Sequence, residues 1–322
     1  MSQHITYDAL TQTRPADRIK TRTEAPAACD GALRDLPERI TRAASRQAYY
    51  TVRFLADRER QRDAYRAYAY FRWVDDSIDQ GDWARPGRLA FVARQQALVE
   101  RGYRGEWPAD LAAEERMLMD LIHSDHTADS GLRSYIDNMM AVMAFDADRR
   151  GQVISERELA EYALRLATAV TDALHYFINH AHAPPPSAER YLPAMGAHIT
   201  HMLRDTWEDA AMGYYNVPGE LLAASGIGPA DIASAPYRAW VRSRVRLARS
   251  YFAAGAHYLA QVEGVRCRLA GYAYMARFTG VLDAIEREGY LLRPAYPERT
   301  RLRYGLRMAG SVCVSAALRR GR

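Results

Sequence analysis

Several features are scarce in this chain of 322 residues, and each scarcity excludes a class of protein. The sequence has only three cysteines, Cys29, Cys267 and Cys313, and no two of them have a CxxC spacing. An odd number without such spacing argues against a disulfide framework and a thiolate zinc site, and it fits a reducing cytoplasm. The 20 glycines and 14 prolines are too few for a collagen-like or low-complexity chain.

Long apolar runs and lysine are also scarce. The longest nearly apolar stretch, residues 308–318, is about half of a membrane span, and the first residues lack the pattern of a signal peptide. We therefore expect a cytoplasmic protein without a membrane span, with association at a membrane surface left open. The net charge is +5, and nearly all of the positive charge is arginine, the better bidentate ligand for phosphate. Nucleic acid, diphosphates and anionic lipid are candidate partners for this charge. The alternative explanation is a bias of the overall composition toward arginine.

Helix-forming residues dominate from Ile40 onward, while alternating β-branched runs and hairpin dipeptides are rare. The pattern predicts helices near 40–55, 59–79, 86–101, 109–124, 129–146, 155–182, 187–211, 217–224, 229–232, 236–262, 265–287 and 297–316. Residues 1–38 are polar, contain three prolines and show no sustained period, which predicts a flexible segment. We expect one all-α domain over residues 39–322, a helical bundle around a central cavity.

Two clusters of carboxylates interrupt apolar helices. The first is Asp75, Asp76 and Asp79, and the second is Asp205, Glu208 and Asp209. In each cluster two aspartates lie four residues apart, so they share a helix face and repel each other. A buried charge is costly unless it is paired. Both costs are relieved if the two faces meet and their carboxylates hold Mg²⁺, which prefers a few carboxylates with water and phosphate oxygens.

Arginines accompany both clusters. Arg72 precedes Asp75 by three residues, Arg204 directly precedes Asp205, and Arg46 lies one helix earlier. Arginine beside Mg²⁺-binding carboxylates is suited to a diphosphate. Two alternatives are weaker. Each cluster could be a solvated helix face, but two clusters in matching apolar contexts disfavour that interpretation. A di-iron bundle would need Glu-x-x-His pairs, and no such pair accompanies His198 and His201.

The segments around both clusters resemble the squalene/phytoene synthase family, the head-to-head class of all-α prenyl diphosphate synthases. Residues 64–79 resemble its first aspartate-rich segment, residues 202–210 resemble its second, and Ser45-Arg46 matches its entry segment. Weaker likeness extends the resemblance over about residues 40–308, including Phe145-Asp146 and the segment 158–162.

The resemblance implies a Mg²⁺-dependent prenyltransferase that ionises allylic isoprenoid diphosphates and condenses them, as in phytoene, squalene or dehydrosqualene synthesis, without a nucleic-acid partner. It implies catalytic residues that bind two or three Mg²⁺ ions or the diphosphate: Asp75, Asp79, Asp205, Asp209 and Arg72. Asp76 and Glu208 would support the metal site. It also implies substrate-binding residues, with aromatic faces near the cation: Ser45, Arg46, Arg72, Arg204, Tyr50, Thr168 and His198. NADPH use and substrate chain length are not readable from the sequence.

The chain departs from the family where the cavity is expected. His198 and His201 stand where the family usually has Gln and Asn, so His201 is a candidate nitrogen ligand for the metal. Thr168 and Thr171 replace glycines, and Val153 replaces a tyrosine. These changes keep two alternatives open: a terpene cyclase, or transfer of the prenyl cation to a non-isoprenoid acceptor. A non-enzymatic helical binding protein with a relict site is a third.

The arginine-rich end of the chain, residues 299–322, is a further candidate feature. Its arginines alternate with apolar residues, which predicts either a basic amphipathic helix on anionic lipid or a last helix docked on the core.

Overall fold

The computed structural model describes residues 26–80, 83–127 and 130–296. The chain divides into two units, Met1–Leu36 and Pro37–Arg322. The eleven α-helices of the described residues are α1 Pro26–Ala44, α2 Arg46–Leu55, α3 Gln61–Gln80, α4 Arg85–Tyr103, α5 Ala113–His123, α6 Gly131–Arg149, α7 Glu156–Ile178, α8 Leu192–Met212, α9 Gly219–Ser225, α10 Ala235–Gln261 and α11 Val265–Arg287. The predicted all-α class is confirmed, and the described β pairing is a single bridge between Val153 and Tyr215.

Three predicted segments need comment. Residues 26–38, expected to be flexible, belong to α1: Pro26 at the first position is compatible with a helix start, although Pro37 lies inside the helix. The short helix predicted at 229–232 is wrong: the Asp231 carboxylate accepts a hydrogen bond from the Gly228 N–H at 2.7 Å, and the segment is a turn. The helix predicted at 297–316 and the lipid-binding tail lie outside the described residues.

Local capping explains where several helices begin and end. Ser45 begins α2 by accepting a hydrogen bond from the Ala48 N–H, and Ser155 begins α7 through a capping box with Glu158. Helix α8 ends at Gly213, whose φ of 89° lies in the left-handed region that glycine adopts without strain. This turn directs the following segment back toward the aspartates of α3 and α8.

Helix α3 has two chemically distinct faces. Its buried face contains Tyr70, Val74 and Ile78, all exposed by 1% or less. Asp75 and Asp79 lie about a quarter-turn or more from that row, as the 3.6-residue period requires, and both are only partly buried. The apolar face therefore anchors the helix and fixes where the carboxylates project.

Helix α8 is arranged in the same way. Leu203 is buried against the core, and His198, His201, Asp205 and Asp209 follow one another at helical spacing. Helix α10 packs closely on α8, since a Cβ on Gly255 would lie 2.5 Å from Pro193 Cγ. No helix among the described residues combines the length and apolarity that a bilayer crossing requires.

Candidate active site

The first aspartate cluster is held by an arginine of its own helix and by a tyrosine from a distant loop. Arg72 donates from Nε to Asp76 Oδ2 at 3.1 Å and from a terminal nitrogen to Asp75 Oδ2 at 3.3 Å. The Tyr214 hydroxyl donates to Asp79 Oδ1 at 2.7 Å. Because Tyr214 follows α8, this bond connects the first cluster to the end of the second aspartate helix.

The second cluster has the same kind of support. Arg204, which is 8% exposed, donates from Nε to Asp205 Oδ1 at 2.5 Å and from a terminal nitrogen to Asp205 Oδ2. His201 Nε2 lies 2.9 Å from the same Oδ2 atom. Asp209 Oδ2 accepts a hydrogen bond from Asn216 Nδ2 at 2.8 Å. A local arginine thus contacts two carboxylates of the first cluster and one of the second, and in each cluster a further aspartate is tied to the segment that follows Gly213.

A buried ion pair from α6 lies between the two clusters. Arg149 donates from Nε to Asp146 Oδ1 at 2.7 Å, and Tyr162 of α7 donates its hydroxyl to Asp146 Oδ2 at 3.0 Å. A terminal nitrogen of Arg149 also donates to Asn216 Oδ1 at 2.9 Å. The guanidinium of Arg149 also lies 5.0 Å from the Tyr214 ring centroid, so residues of α3, α6, α7 and α8 adjoin one another in a polar network that includes both predicted clusters.

The electrostatics of the clusters favour a bound cation. Burial and the neighbouring Asp79 raise the pKa of Asp75 to about 7, against the effect of Arg72. Burial and Asp205 raise the pKa of Asp209 to about 7. The Asp146 carboxylate contributes to both increases, so both aspartates feel the same buried charge. By contrast, hydrogen bonds from Arg204 and His201 hold the pKa of Asp205 below its usual range, against its burial.

His198 lies in the interior beside this network. It is 6% exposed, its ring is 5.1 Å from the ring of Tyr162, and neither ring nitrogen has a hydrogen-bond partner in the structure. Burial, with His201 and Arg149 nearby, lowers the pKa of His198 to about 3, so the ring is neutral. Its predicted contact with substrate stays a prediction.

Other predicted residues are placed less centrally. Ser45 contacts Tyr68, whose surroundings include Arg72, Asp75 and Asp76, so Ser45 lies near the first cluster. Arg46 is exposed, and Tyr50 is 52% exposed and stacks on Phe54. Thr168 is half-buried on α7, and Thr171 is buried. The roles predicted for Arg46, Tyr50 and Thr168 stay predictions.

The predicted position of Val153 is wrong. We expected it to line the cavity, but its side chain is 44% exposed. Its backbone pairs with Tyr215, and its side chain rests against Gly219, where an added Cβ would lie 3.1 Å away. The bridge directs Val153 to the surface.

The donor set fits a hard divalent cation. Within the described residues, no three carboxylate, imidazole or thiol groups already converge on one point as a complete metal cage. Mg²⁺ does not need such a cage, because it keeps waters and takes one or two carboxylates with substrate phosphate oxygens. Carboxylates whose ionised forms are disfavoured without a counter-ion are suitable ligands of this kind. Asp75 and Asp209 meet this description, and with the neighbouring oxygens of Asp79 and Asp205 they suit a metal–diphosphate complex rather than a bare metal.

Sequence reasoning missed the residues that join the clusters. Asp146 and Tyr162 lie in segments that matched the resembled family, but no role was assigned to them. Arg149 was not singled out, and Tyr214 and Asn216 drew notice only because residues 213–218 depart from the family's usual segment. The available signal was the Asp146–Arg149 spacing of three residues, a common helical ion pair that is not specific without tertiary contacts.

Comparison with known proteins identifies the family and the fold. A family model described as squalene/phytoene synthase matches residues 41–304. A presqualene diphosphate synthase from Rhodopseudomonas palustris is 29% identical over 186 residues, which cover 57% of this chain and 62% of that protein. The match thus spans less than two thirds of that relative's length.

Two solved structures are similar in fold. A dehydrosqualene synthase in complex with ligand has a TM-score of 0.65 at 16% identity, and the match covers 92% of this chain and 100% of that one. A squalene synthase from Alicyclobacillus acidocaldarius has a TM-score of 0.63 at 19% identity, covering 84% of this chain and 98% of that one.

Proposed function

Because this chain belongs to the squalene/phytoene synthase family, we propose that it is a Mg²⁺-dependent prenyltransferase. It ionises an allylic isoprenoid diphosphate and joins the cation to the alkene of a second isoprenoid diphosphate. The observation that supports this most is the polar network around Arg149. Its hydrogen bonds to Asp209 of α8, and its contact with the Tyr214 that bonds Asp79 of α3, support the proposal that the two clusters form one site.

The side chains of this site have separable tasks. Asp75, Asp79, Asp205 and Asp209 supply carboxylate oxygens, and His201 adds an imidazole nitrogen beside Asp205. Mg²⁺, when bound there, neutralises the diphosphate and stabilises it as a leaving group. Arg72 and Arg204 lie directly beside these oxygens, and each offers several N–H donors that a diphosphate can accept.

The product class is proposed at the level of the family: a head-to-head condensation product of the phytoene, squalene or dehydrosqualene type. No observation in the described residues favours the cyclase or the transfer to another acceptor. Intact carboxylate pairs also disfavour a relict site, because their mutual repulsion would be a cost without a use.

Product analysis tests the proposal. The full chain is incubated with C10, C15 or C20 allylic diphosphates, each alone and in pairs, with Mg²⁺ or with a chelator, and products are identified by mass spectrometry. We expect a condensed product and released diphosphate only with Mg²⁺. A product formed from one diphosphate by cyclisation, or no Mg²⁺ dependence, would contradict the proposal. A thermal shift that requires Mg²⁺ and inorganic diphosphate together separates an enzyme site from a scaffold.

Mg²⁺ binding is expected to weaken as the pH falls from about 8 to about 6 and to release protons in that range. Asp75 and Asp209 have pKa values near 7, so below that pH the metal must displace their protons. Calorimetric titration with Mg²⁺ at saturating inorganic diphosphate, in two buffers of different ionisation enthalpy and with a protein-free blank, measures the release. Asp209→Asn should remove up to about one proton of it. Equal affinity and no proton release at both pH values would contradict the assignment.

A further inference from the structure

Arg149 is a buried cation that the proposed reaction does not use. Its side chain is 6% exposed, and it forms an ion pair with Asp146 at 2.7 Å. Three aromatic rings surround its guanidinium, with centroids 4.9 to 5.5 Å from the central carbon: Phe145, Tyr162 and Tyr214. Because the planar group is held by rings and by two hydrogen-bonded partners, it has one orientation.

Two arms lead from Arg149, one to each aspartate helix. In the first arm, the guanidinium donates to Asn216 Oδ1 at 2.9 Å, and Asn216 Nδ2 donates to Asp209 Oδ2 at 2.8 Å. In the second arm, the guanidinium lies 5.0 Å from the Tyr214 ring centroid, and the Tyr214 hydroxyl donates to Asp79 Oδ1 at 2.7 Å. The arms end on carboxylates of α8 and α3, respectively.

Arg149 differs in this respect from the arginines of the clusters. Arg72 and Arg204 pair directly with cluster aspartates, so a bound cation would compete with them for the same oxygens. Arg149 makes its ion pair with Asp146, and its contacts toward Asp209 and Asp79 run through Asn216 and Tyr214. It can therefore remain in place whether or not the carboxylates are occupied.

We propose that Arg149 is a positioning residue that sets the placement of Asp79 and Asp209 relative to each other, through Tyr214 and Asn216, so that both clusters act on one metal–diphosphate complex. This inference rests on the proposed function, since it concerns cations held by the same carboxylates. Side chains that orient metal ligands typically change metal affinity by 10- to 100-fold when they are removed.

The test is a double-mutant cycle read out as Mg²⁺ affinity, measured by calorimetry on the full chain with saturating inorganic diphosphate. Arg149→Met should weaken Mg²⁺ binding by about 10- to 100-fold. Tyr214→Phe and Asn216→Ala should each weaken it by about 10-fold in the wild-type background, but by less than about twofold when Met already replaces Arg149. Arg149→Lys keeps the positive charge but not the planar guanidinium. Compared with Arg149→Met, we expect it to recover more of the folding stability than of the Mg²⁺ affinity.

Arg268→Met is the matched control. Arg268 is 8% exposed and donates to the Val262 and Glu263 carbonyls, at the far end of α10. It should lower the unfolding midpoint without changing Mg²⁺ affinity. If the effects of Arg149 and its partners multiply independently, or if Arg149→Met binds Mg²⁺ like the wild type, the inference is overturned while the proposed function stands. If the wild-type chain itself binds no Mg²⁺ with diphosphate, both are overturned. Should Arg149→Met not fold, Arg149→Lys takes its place in the cycle.

Discussion

Replacing Asp75 or Asp209 by asparagine is expected to lower turnover by about 100-fold or more, while leaving the metal-free protein at least as stable as the wild type near pH 8. The loss of activity follows because an amide cannot supply the charge that a Mg²⁺ ligand needs. The expectation for stability follows from the pKa values of the two carboxyls. Measuring stability beside turnover distinguishes a functional role of these carboxylates from a structural one.

The sign of the stability effect is fixed by the direction of the shifts. Both carboxyls have an ordinary pKa of 3.8 and a folded-state pKa of about 7. A carboxyl with a raised pKa loses its contribution to folding as the pH rises through that window, so near pH 8 the ionised form opposes folding. Asparagine removes this penalty, and its Oδ1 can still accept the hydrogen bond from Arg72 or from Asn216.

Turnover and urea unfolding of the same preparations check both expectations. Asp137→Asn is the control, since Asp137 lies on α6 with 54% of its side chain exposed. It should leave turnover unchanged, and because burial also raises the pKa of Asp137, its free energy of unfolding near pH 8 should rise slightly or stay the same. Wild-type turnover in Asp75→Asn or Asp209→Asn would remove the metal assignment. A clear fall in the free energy of unfolding near pH 8 would show instead that these carboxylates hold the fold together.

The helical fold and the aspartate clusters were accessible from the sequence because both depend on local periodicity. An apolar row and a row of Asp75 and Asp79 follow from the 3.6-residue repeat alone. The paired spacing in Asp205 and Asp209 repeats this signal, so the two faces could be matched without any tertiary information. The arginines at fixed offsets, Arg72 and Arg204, are local in the same sense.

The connection between the clusters could not be predicted in this way. Arg149 and Asn216 are 67 residues apart, and Tyr214 and Asp79 are 135 apart. No helical spacing brings such residues together. Their contact depends on the left-handed turn at Gly213 and on the packing of α6, α7 and α8. Val153 was misplaced for a related reason, since its direction is set by a backbone bridge to Tyr215.

A second network of hydrogen bonds joins α3, α4 and α5. Its residues are far apart in the chain, so local sequence patterns could not reveal it. Glu115 is 3% exposed, and its Oε1 accepts hydrogen bonds from Arg94 Nε at 2.7 Å and Gln95 Nε2 at 3.0 Å. Its Oε2 accepts from a terminal nitrogen of Arg94 and from the Ala112 N–H, both at 2.9 Å. The buried Gln95 in turn accepts a hydrogen bond from the Tyr70 hydroxyl at 3.0 Å. Because Tyr70 belongs to α3, this network helps to place the first aspartate cluster.

Glu115→Ala is therefore expected to lower the free energy of unfolding by about 2 to 4 kcal/mol, because it leaves the buried Gln95 amide without an acceptor and the Ala112 N–H uncapped, while the half-exposed Arg94 can turn to solvent. Tyr70→Phe, which removes only the end of the network, should cost about 1 to 2 kcal/mol.

Hydrogen bonds from Arg94, Ala112 and Gln95 outweigh burial and lower the pKa of Glu115 to about 2 from 4.5. The stabilisation is thus complete above pH 4.5 and is lost as the pH falls toward 2. Urea unfolding at several pH values measures both effects, and Glu115→Ala should flatten the acid-side loss. An unfolding free energy within about 1 kcal/mol of the wild type would show that α3 is held by its apolar face alone.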